Sequence, residues 1–254
     1  MSPFFSIITV CFNAQHVIER TIKSVKSQCY REFEHIIIDG VSTDETMKVV
    51  QRYRQEVSDY EVNVISEPDK GIYDAMNKGL RLAKGNYVVF LNAGDKLHDK
   101  MVLHNIKLLI GQSTQDVGVI YGNTVIVNND GDVLGNRHLT PPEHLSWRSF
   151  KRGMLVCHQS FYVRRDICQE YDLRYRYSAD VDWCIKVMKK AETKQLTLVY
   201  DKEILTDYLS EGETTRHHRL SLMERFSVMR RHYGLFITLM MHLSFVIRSI
   251  RRQL

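Results

Sequence analysis

The sequence predicts an α/β protein built on a mostly parallel sheet with helices on both faces. Three observations carry that expectation. Over the first hundred residues, short apolar runs rich in β-branched residues alternate with segments of helical periodicity, the pattern of strand–helix–strand units. Turn residues bound each run. Several runs also end in acidic or amide residues, which places polar groups at the carboxyl ends of strands, where sheets of this kind bind ligands.

Residues 5–10 form the first expected strand, and residues 16–28 a helix with Val17, Ile18, Ile22 and Val25 on one face. Residues 34–39 hold the triplet Ile36-Ile37-Ile38 and read as a second strand. A helix over 43–56 follows, with Ser42 or Thr43 as its cap and Glu45 in its first turn. A third strand over 62–66, a helix over 73–83 ended by Gly85 and a fourth strand over 87–91 complete the front half. Beyond Asp95 the rhythm changes. A helix is expected over 101–110, one or two strands over 117–127 and a hairpin turn at Asn128-Asn129-Asp130-Gly131-Asp132. Residues 155–164 are strand-like, 180–191 helical and 196–200 a last strand.

No internal repeat or Gly/Ser linker divides the 254 residues. One domain over 1–215 is expected, with a nucleotide-binding half, 1–98, and a half over 99–215 that supplies the second substrate's pocket. Residues 216–254 form a basic helical tail. The composition, 44% hydrophobic and 26% charged, is that of a folded protein. Five scattered cysteines without a CxxC pair read as reduced thiols. The strand-like N-terminus is not that of a secretion signal, so a cytoplasmic location is expected. The net charge of +5 belongs to the tail: from Arg216 onward there are eight arginines, no lysine and a single acid, Glu224.

The acids at strand ends define a candidate site. Asp39 follows the second strand, where an acid can accept hydrogen bonds from a ribose or base; as a mere turn former it would duplicate Ser42. Asn92-Ala93-Gly94-Asp95 follows the fourth, and a carboxylate with a neighbouring amide oxygen suits a hard divalent cation shared with substrate phosphates. Glu67-Pro68-Asp69-Lys70-Gly71 opens the helix between the third and fourth strands. Asp180 and Asp182 open a later helix; one acid there complements the helix dipole, and the second is the best candidate for a general base.

Thr9-Val10-Cys11-Phe12-Asn13, Ile38-Asp39-Gly40-Val41-Ser42-Thr43-Asp44, Glu67-Pro68-Asp69-Lys70-Gly71 and Leu91-Asn92-Ala93-Gly94-Asp95 resemble, in order and spacing, the inverting glycosyltransferases of family 2. The likeness runs on through His158-Gln159 and Ala179-Asp180-Val181-Asp182 to about Gly212. It looks like the branch found in bacterial exopolysaccharide, colanic-acid-type, capsule and O-antigen assembly. The resemblance implies the GT-A fold, a Rossmann-like α/β/α sandwich, and transfer of a sugar from a nucleotide-diphosphate sugar to a hydroxyl of a lipid-linked saccharide acceptor. It implies that Thr9, Asn13, Asp39, Asp69, Lys70, Asn77 and Asn92 hold the donor. Asp95 would bind Mg2+ or Mn2+, Asp180 would be the base, and His158, Gln159 and Asp182 would meet the acceptor. The chain departs from many relatives at the strand end: Asn92 and Gly94 stand where they carry acids, and Asp95 is the one carboxylate left there. Ala179 replaces the Glu that often precedes the base.

Within the tail, the apolar run over 235–247 is about 13 residues, short of the ~20 needed to span a bilayer. With Arg230, Arg231, Arg248, Arg251 and Arg252 around it, it suits an interfacial helix on the inner face of the cytoplasmic membrane; the alternative is a helix packed on the body or on a second subunit of a homodimer. His217-His218 is a further candidate for reaching the diphosphate, against a plain exposed start to the final helix. Nucleic acid is not an expected partner, because the basic charge is interleaved with aliphatic residues. The rival functions are a nucleotidyltransferase, for which the first loop lacks a Gly-rich phosphate cradle, and a non-catalytic nucleotide-sugar-binding module, which has no use for Asp180.

Overall fold

The computed structural model describes residues 2–210 and 218–250, with side chains over 219–245 in the second stretch. The elements run β1 (Phe5–Cys11), α1 (Ile18–Lys26), β2 (Phe33–Asp39), α2 (Thr46–Glu56), β3 (Glu61–Ser66), α3 (Ile72–Leu82), β4 (Tyr87–Phe90), β5 (Lys96–Leu97) and α4 (Val102–Gln112). There follow β6 (Val117–Val127), β7 (Val133–Asn136), β8 (Phe161–Arg164), α5 (Ala179–Thr193) and β9 (Thr197–Leu209), then α6 (His218–Tyr233) and α7 (Leu235–Ile250).

One sheet runs β3-β2-β1-β4-β8-β6-β9-β5, with β7 hanging on β6. Its front half is parallel, as the strand–helix alternation predicts. Strand β8 enters antiparallel between β4 and β6, and β9 returns parallel to β6. In register, Cys11 lies beside Asp39 and Asp39 beside Ser66, so the first three strands finish level. Their ends form the rim of the site.

Successive side chains on a strand point to opposite faces. Ile8 and Val10 pack with Met76 of α3 and Trp183 of α5, whereas Cys11 and Ile37 pack with Ile18 of α1 and Val50 of α2. The same parity decides the fate of Thr9. It faces α2, where its hydroxyl meets His35 Nε2 at 2.9 Å and His35 Nδ1 meets the Tyr53 hydroxyl at 2.8 Å.

Several boundaries differ from expectation for local reasons. Helix α2 starts at Thr46 because Asp44 accepts the Thr46 N–H at 2.9 Å and also binds the first loop through the Gln15 N–H. Residues 155–157 are not strand; a 3-10 turn over His158–Ser160 precedes the short β8. Strand β9 runs to Leu209, because its far end also pairs with β5.

The tail is not one detachable unit. Helix α6 buries Val228 and Met229 in the main core, and Tyr233 stacks on Trp147 and donates to its carbonyl oxygen at 2.5 Å. Gly234, at φ 83, ends it in the left-handed conformation that glycine favours. Helix α7 then lies outermost, with Phe236, Leu239, Met240 and Leu243 exposed. Among the described residues no helix is long and apolar enough to cross a membrane.

Candidate active site

At the rim, Phe12 leaves β1 63% exposed. Asn13, in the left-handed conformation at φ 48, accepts the Thr43 N–H at 2.9 Å and donates its own N–H to Ser42 Oγ at 2.8 Å. The loops after β1 and β2 are thereby tied together. Asp39 is fully buried; its carboxylate accepts the Ser42 N–H at 3.0 Å, the Ser66 hydroxyl at 2.6 Å and the Ser42 hydroxyl. A Cβ on Gly40 would meet Asp69 Oδ2 at 2.6 Å, so glycine there lets Asp69 approach the rim. Asp69 also accepts the Gly71 N–H at 2.8 Å, and Lys70 is exposed beside it.

The turn after β4 is held from α1. Thr21 Oγ1 donates to the Asp95 carbonyl oxygen at 2.6 Å and accepts the Gly94 N–H at 2.9 Å. Asp95 is 3% exposed and accepts the Leu209 N–H at 2.9 Å and Gln159 Nε2 at 2.8 Å. Burial pushes its carboxyl up to about 6 against the pull of those donors, His158 and Arg20.

Asp180 stands in the first turn of α5 with 19% of its side chain exposed. Its Oδ1 accepts the Val181 N–H at 2.9 Å and the Tyr73 hydroxyl at 3.3 Å, and its Oδ2 lies 3.6 Å from His158 Nδ1. Burial alone would raise its carboxyl, but His158, Arg225 and the Val181 N–H together hold it below the usual value. The group is therefore a charged carboxylate at neutral pH with access to solvent, as a general base requires.

Around the two carboxylates, Asn92 Oδ1, His158 Nε2, Arg20 Nη2 and Arg225 Nε are buried with no hydrogen-bond partner among the described residues. Unpartnered buried polar atoms are rare in folded proteins and costly unless something meets them. Next to Cys157, just before His158, a cleft of about 250 Å³ is lined by Asn123, Thr124, Arg137, Leu139 and Leu155.

Other expected site residues are committed elsewhere. Thr9 is fully buried on the α2 face, so its side chain does not reach the rim. Asn77 is spent on Tyr171: Nδ2 donates to the carbonyl oxygen at 3.0 Å and Oδ1 accepts the N–H at 2.7 Å. Asp182 is fully buried and pairs with Lys186 Nζ at 2.5 Å and His232 Nε2 at 2.7 Å, pointing to α6 rather than toward an acceptor. Gln159, 1% exposed, supports Asp95 and accepts the Cys157 thiol instead of facing solvent. Arg231, expected to face lipid, pairs with Asp172 at 2.8 Å. The side chains of His217, His218, Arg248, Arg251 and Arg252 lie outside the described residues. Sequence reasoning missed Phe12, Arg20 and Arg225; an exposed aromatic just past the first strand was the one signal available.

No group of three His, Cys, Asp or Glu side chains among the described residues is placed to hold a metal by itself. The donor set still fits a hard divalent cation shared with a ligand: Asn92 offers a free amide oxygen, and Asp95 a buried carboxylate whose charge the protein does not fully compensate.

The comparisons with known proteins agree with this architecture. The family described as Glycosyl transferase family 2 matches residues 6–172. A PGL/p-HBAD biosynthesis glycosyltransferase of Mycobacterium bovis (strain BCG / Pasteur 1173P2) is 32% identical over 188 residues, covering 73% of this chain and 70% of that protein. Among solved structures, S. aureus TarS 1–349 in complex with UDP-GlcNAc superposes with a TM-score of 0.69 at 19% identity over 89% of this chain. This chain spans 64% of that one, and 38% of the longer TarS chain. The mannosyltransferase PcManGT from Pyrobaculum calidifontis, in complex with GDP-Man and Mn2+, has a TM-score of 0.66 at 17% identity, covering 96% of this chain and 71% of that one. The parallel front half, the carboxylates at its strand ends and the family match over residues 6–172 lead to one conclusion: this chain belongs to glycosyl transferase family 2 and is a glycosyltransferase with the GT-A fold.

Proposed function

We propose that the chain transfers a sugar from a nucleotide-diphosphate sugar to a hydroxyl of a lipid-linked saccharide, with inversion at the anomeric carbon, in assembly of a bacterial surface glycan. The observation that carries this reading is the ring of unpartnered buried donors and acceptors around Asp95 and Asp180. Such a ring suits a charged, oxygen-rich ligand.

In this reading the nucleoside lies over the rim, with its base against Phe12 and its ribose beside Asp69 and Lys70. Asn13 and Asp39 brace the two loops that frame it. Arg20 and Arg225 are the donors that meet the diphosphate. Asn92 and Asp95 would hold a divalent cation, Mg2+ or Mn2+, which supplies charge neutralisation for the leaving diphosphate. The acceptor enters by the cleft at Arg137 and Cys157. Asp180 Oδ2 takes the proton of its hydroxyl as that oxygen bonds to the anomeric carbon, and the bond to the diphosphate breaks on the opposite face. His158 keeps the carboxylate charged and oriented. No covalent intermediate is required, so a single base suffices.

The exposed row on α7 supports a peripheral position on the inner membrane face. Phe236, Leu239, Met240 and Leu243 recur at helical spacing, and exposed Arg230 lies at the near end. A lipid-linked acceptor would be met there.

A panel of UDP- and GDP-sugars, incubated with Mn2+ and a bacterial lipid extract and followed by NMR of the product's anomeric centre, tests the assignment. The expected result is one donor consumed with inverted configuration. A product of retained configuration, or no nucleotide-sugar binding across the panel, overturns it.

A further inference from the structure

Glu224, the single acid after Arg216, sits on α6 far in sequence from the proposed base. Its Oε1 accepts the Arg176 N–H at 2.8 Å, and its Oε2 accepts those of Tyr177 at 2.6 Å and Ser178 at 3.0 Å. These three successive amides lead directly into α5, whose first residue is Ala179 and whose second is Asp180. Ser178 precedes the helix without capping it through its own side chain; its hydroxyl donates instead to the Ser221 carbonyl oxygen of α6 at 3.1 Å. The entry to α5 is therefore fixed from a different helix.

Two further interactions join the same helices. Arg225, next to Glu224, is one of the charges that hold the Asp180 carboxyl down. Asp182, in the first turn of α5, meets His232 of α6 at 2.7 Å. Helix α6 thus grips both sides of the turn that carries Asp180. A helix entry held only by its own cap has the freedom to fray. A carboxylate on a different helix that accepts the three backbone N–H groups leading into the entry removes that freedom through charge-assisted bonds.

We infer that Glu224 is a positioning residue for catalysis: by holding the amides of residues 176–178 it keeps Asp180 aligned with the acceptor hydroxyl. The inference rests on Asp180 being the base. Misplacing a reacting group by about 1 Å can cost about 10²-fold in rate, so the effect of losing Glu224 belongs in kcat rather than in donor binding.

The test compares Glu224→Ala, Glu224→Gln and Asp180→Asn in the full chain, by hydrogen–deuterium exchange and by turnover of the UDP- or GDP-sugar that the wild type consumes. Glu224→Ala is expected to speed exchange over residues 176–183 and to lower kcat about 10- to 100-fold, with donor KM within about twofold. Glu224→Gln, which keeps acceptor oxygen but only one of it, is expected to fall between. Equal exchange over 176–183 in wild type and Glu224→Ala overturns the inference, whatever the turnover. So does unchanged kcat in a folded Glu224→Ala when Asp180→Asn is inactive. An active Asp180→Asn instead overturns the assignment of the base. Melting temperatures separate these outcomes from unfolding, and exchange outside α5 and α6 reports a variant that fails to fold.

Discussion

Gln159 Nε2 donates to Asp95 Oδ2 at 2.8 Å, so the carboxylate at the end of the front half is held by a residue from the back half. The preceding residue, His158, approaches the other carboxylate, Asp180, at 3.6 Å. Two adjacent side chains on one short turn thus serve the two acids of the site, and the turn fixes their separation. The back half does more than complete the sheet: it sets the distance between the proposed cation site and the proposed base.

Asp180→Asn is expected to keep the fold and donor affinity while lowering transfer by about 10²–10⁴-fold, because the amide cannot accept the hydroxyl proton. Asp182→Asn should behave in the opposite way. It takes a charged oxygen from the fully buried Asp182 carboxyl, leaving Lys186 without its counter-charge and disturbing the contact with His232, and breaking a buried ion pair costs about 3–5 kcal/mol. Melting curves alongside turnover distinguish them. Normal turnover in a folded Asp180→Asn ends its candidacy as the base.

The pH profile of stability should carry two opposed contributions. The Asp95 carboxyl is pushed up from 3.8 to about 6 on folding, so the folded state favours its protonated form. Its contribution to stability is full below pH 3.8 and is lost as pH rises to about 6, a change of about 3 kcal/mol. His35 is pushed down from 6.5 to about 3 by burial, so its contribution is present above pH 6.5 and is lost as pH falls toward 3. Asp95→Asn should remove the loss due to Asp95 and leave the slopes of His35 and of the carboxyls held low, Asp180 among them, giving a variant more stable than wild type at neutral pH and no longer so near pH 4. Urea unfolding at pH 4, 5, 6 and 7 measures this; parallel curves for the two proteins would contradict it.

Phe12 and Asp39 should separate binding from stability. Phe12→Ala removes an exposed ring that touches little of the core, so melting should not change, while nucleoside diphosphate affinity should fall by about 1–3 kcal/mol, the value of a stacked base. Asp39→Ala deprives the Ser42 N–H and the Ser42 and Ser66 hydroxyls of their acceptor, and stability should drop by at least about 2 kcal/mol. Calorimetry with UDP and GDP, next to thermal melting, checks both. An Asp39→Ala protein as stable as wild type would return that carboxylate to the ligand alone.

Helix α7 can be tested without cutting the core. Truncation before Tyr233 would remove its stack on Trp147, so substitution is the cleaner experiment. Phe236→Glu with Met240→Glu should abolish sedimentation with anionic vesicles while leaving nucleotide binding and melting unchanged. Retained vesicle binding would move the membrane surface elsewhere, and a change from dimer to monomer on the same substitution would identify the row as a subunit contact.

The front half was legible because each strand is a compact apolar run ending in a turn, and because polar residues clustered at those ends. Asp180 came from a different signal, a pair of acids opening a helix rather than a strand end. What the sequence did not disclose was direction. Thr9 and Asp39 share one face by strand parity, yet Thr9, two residues before the end of β1, is covered from α2, whereas Asp39, the last residue of β2, meets the Ser42 and Ser66 hydroxyls. Asp182 is two residues from Asp180, about 200° around the helix, and that rotation delivers it to α6. Glu224 looked like a stray acid in a basic tail, because its partners are backbone amides some 46 residues away. Residues 155–157 looked like a strand because they are apolar, but they lead into a turn that must bend to bring His158 and Gln159 to separate acids.

Gly94 closes one route of redesign. It holds φ +98, and a Cβ there would meet Leu209 Cδ2 at 2.6 Å and approach Val17. An acid at this position, which the resemblance leads one to expect, would have to hold a left-handed backbone that favours glycine and displace the end of the Leu209 side chain. Gly94→Asp would collide with the residue whose N–H supports Asp95, so the added carboxylate would disturb the one already present. Shortening Leu209 would relieve the contact but not the backbone strain at φ +98. Glycine at 94 is thus what lets the end of β9 close down on the turn that carries Asp95.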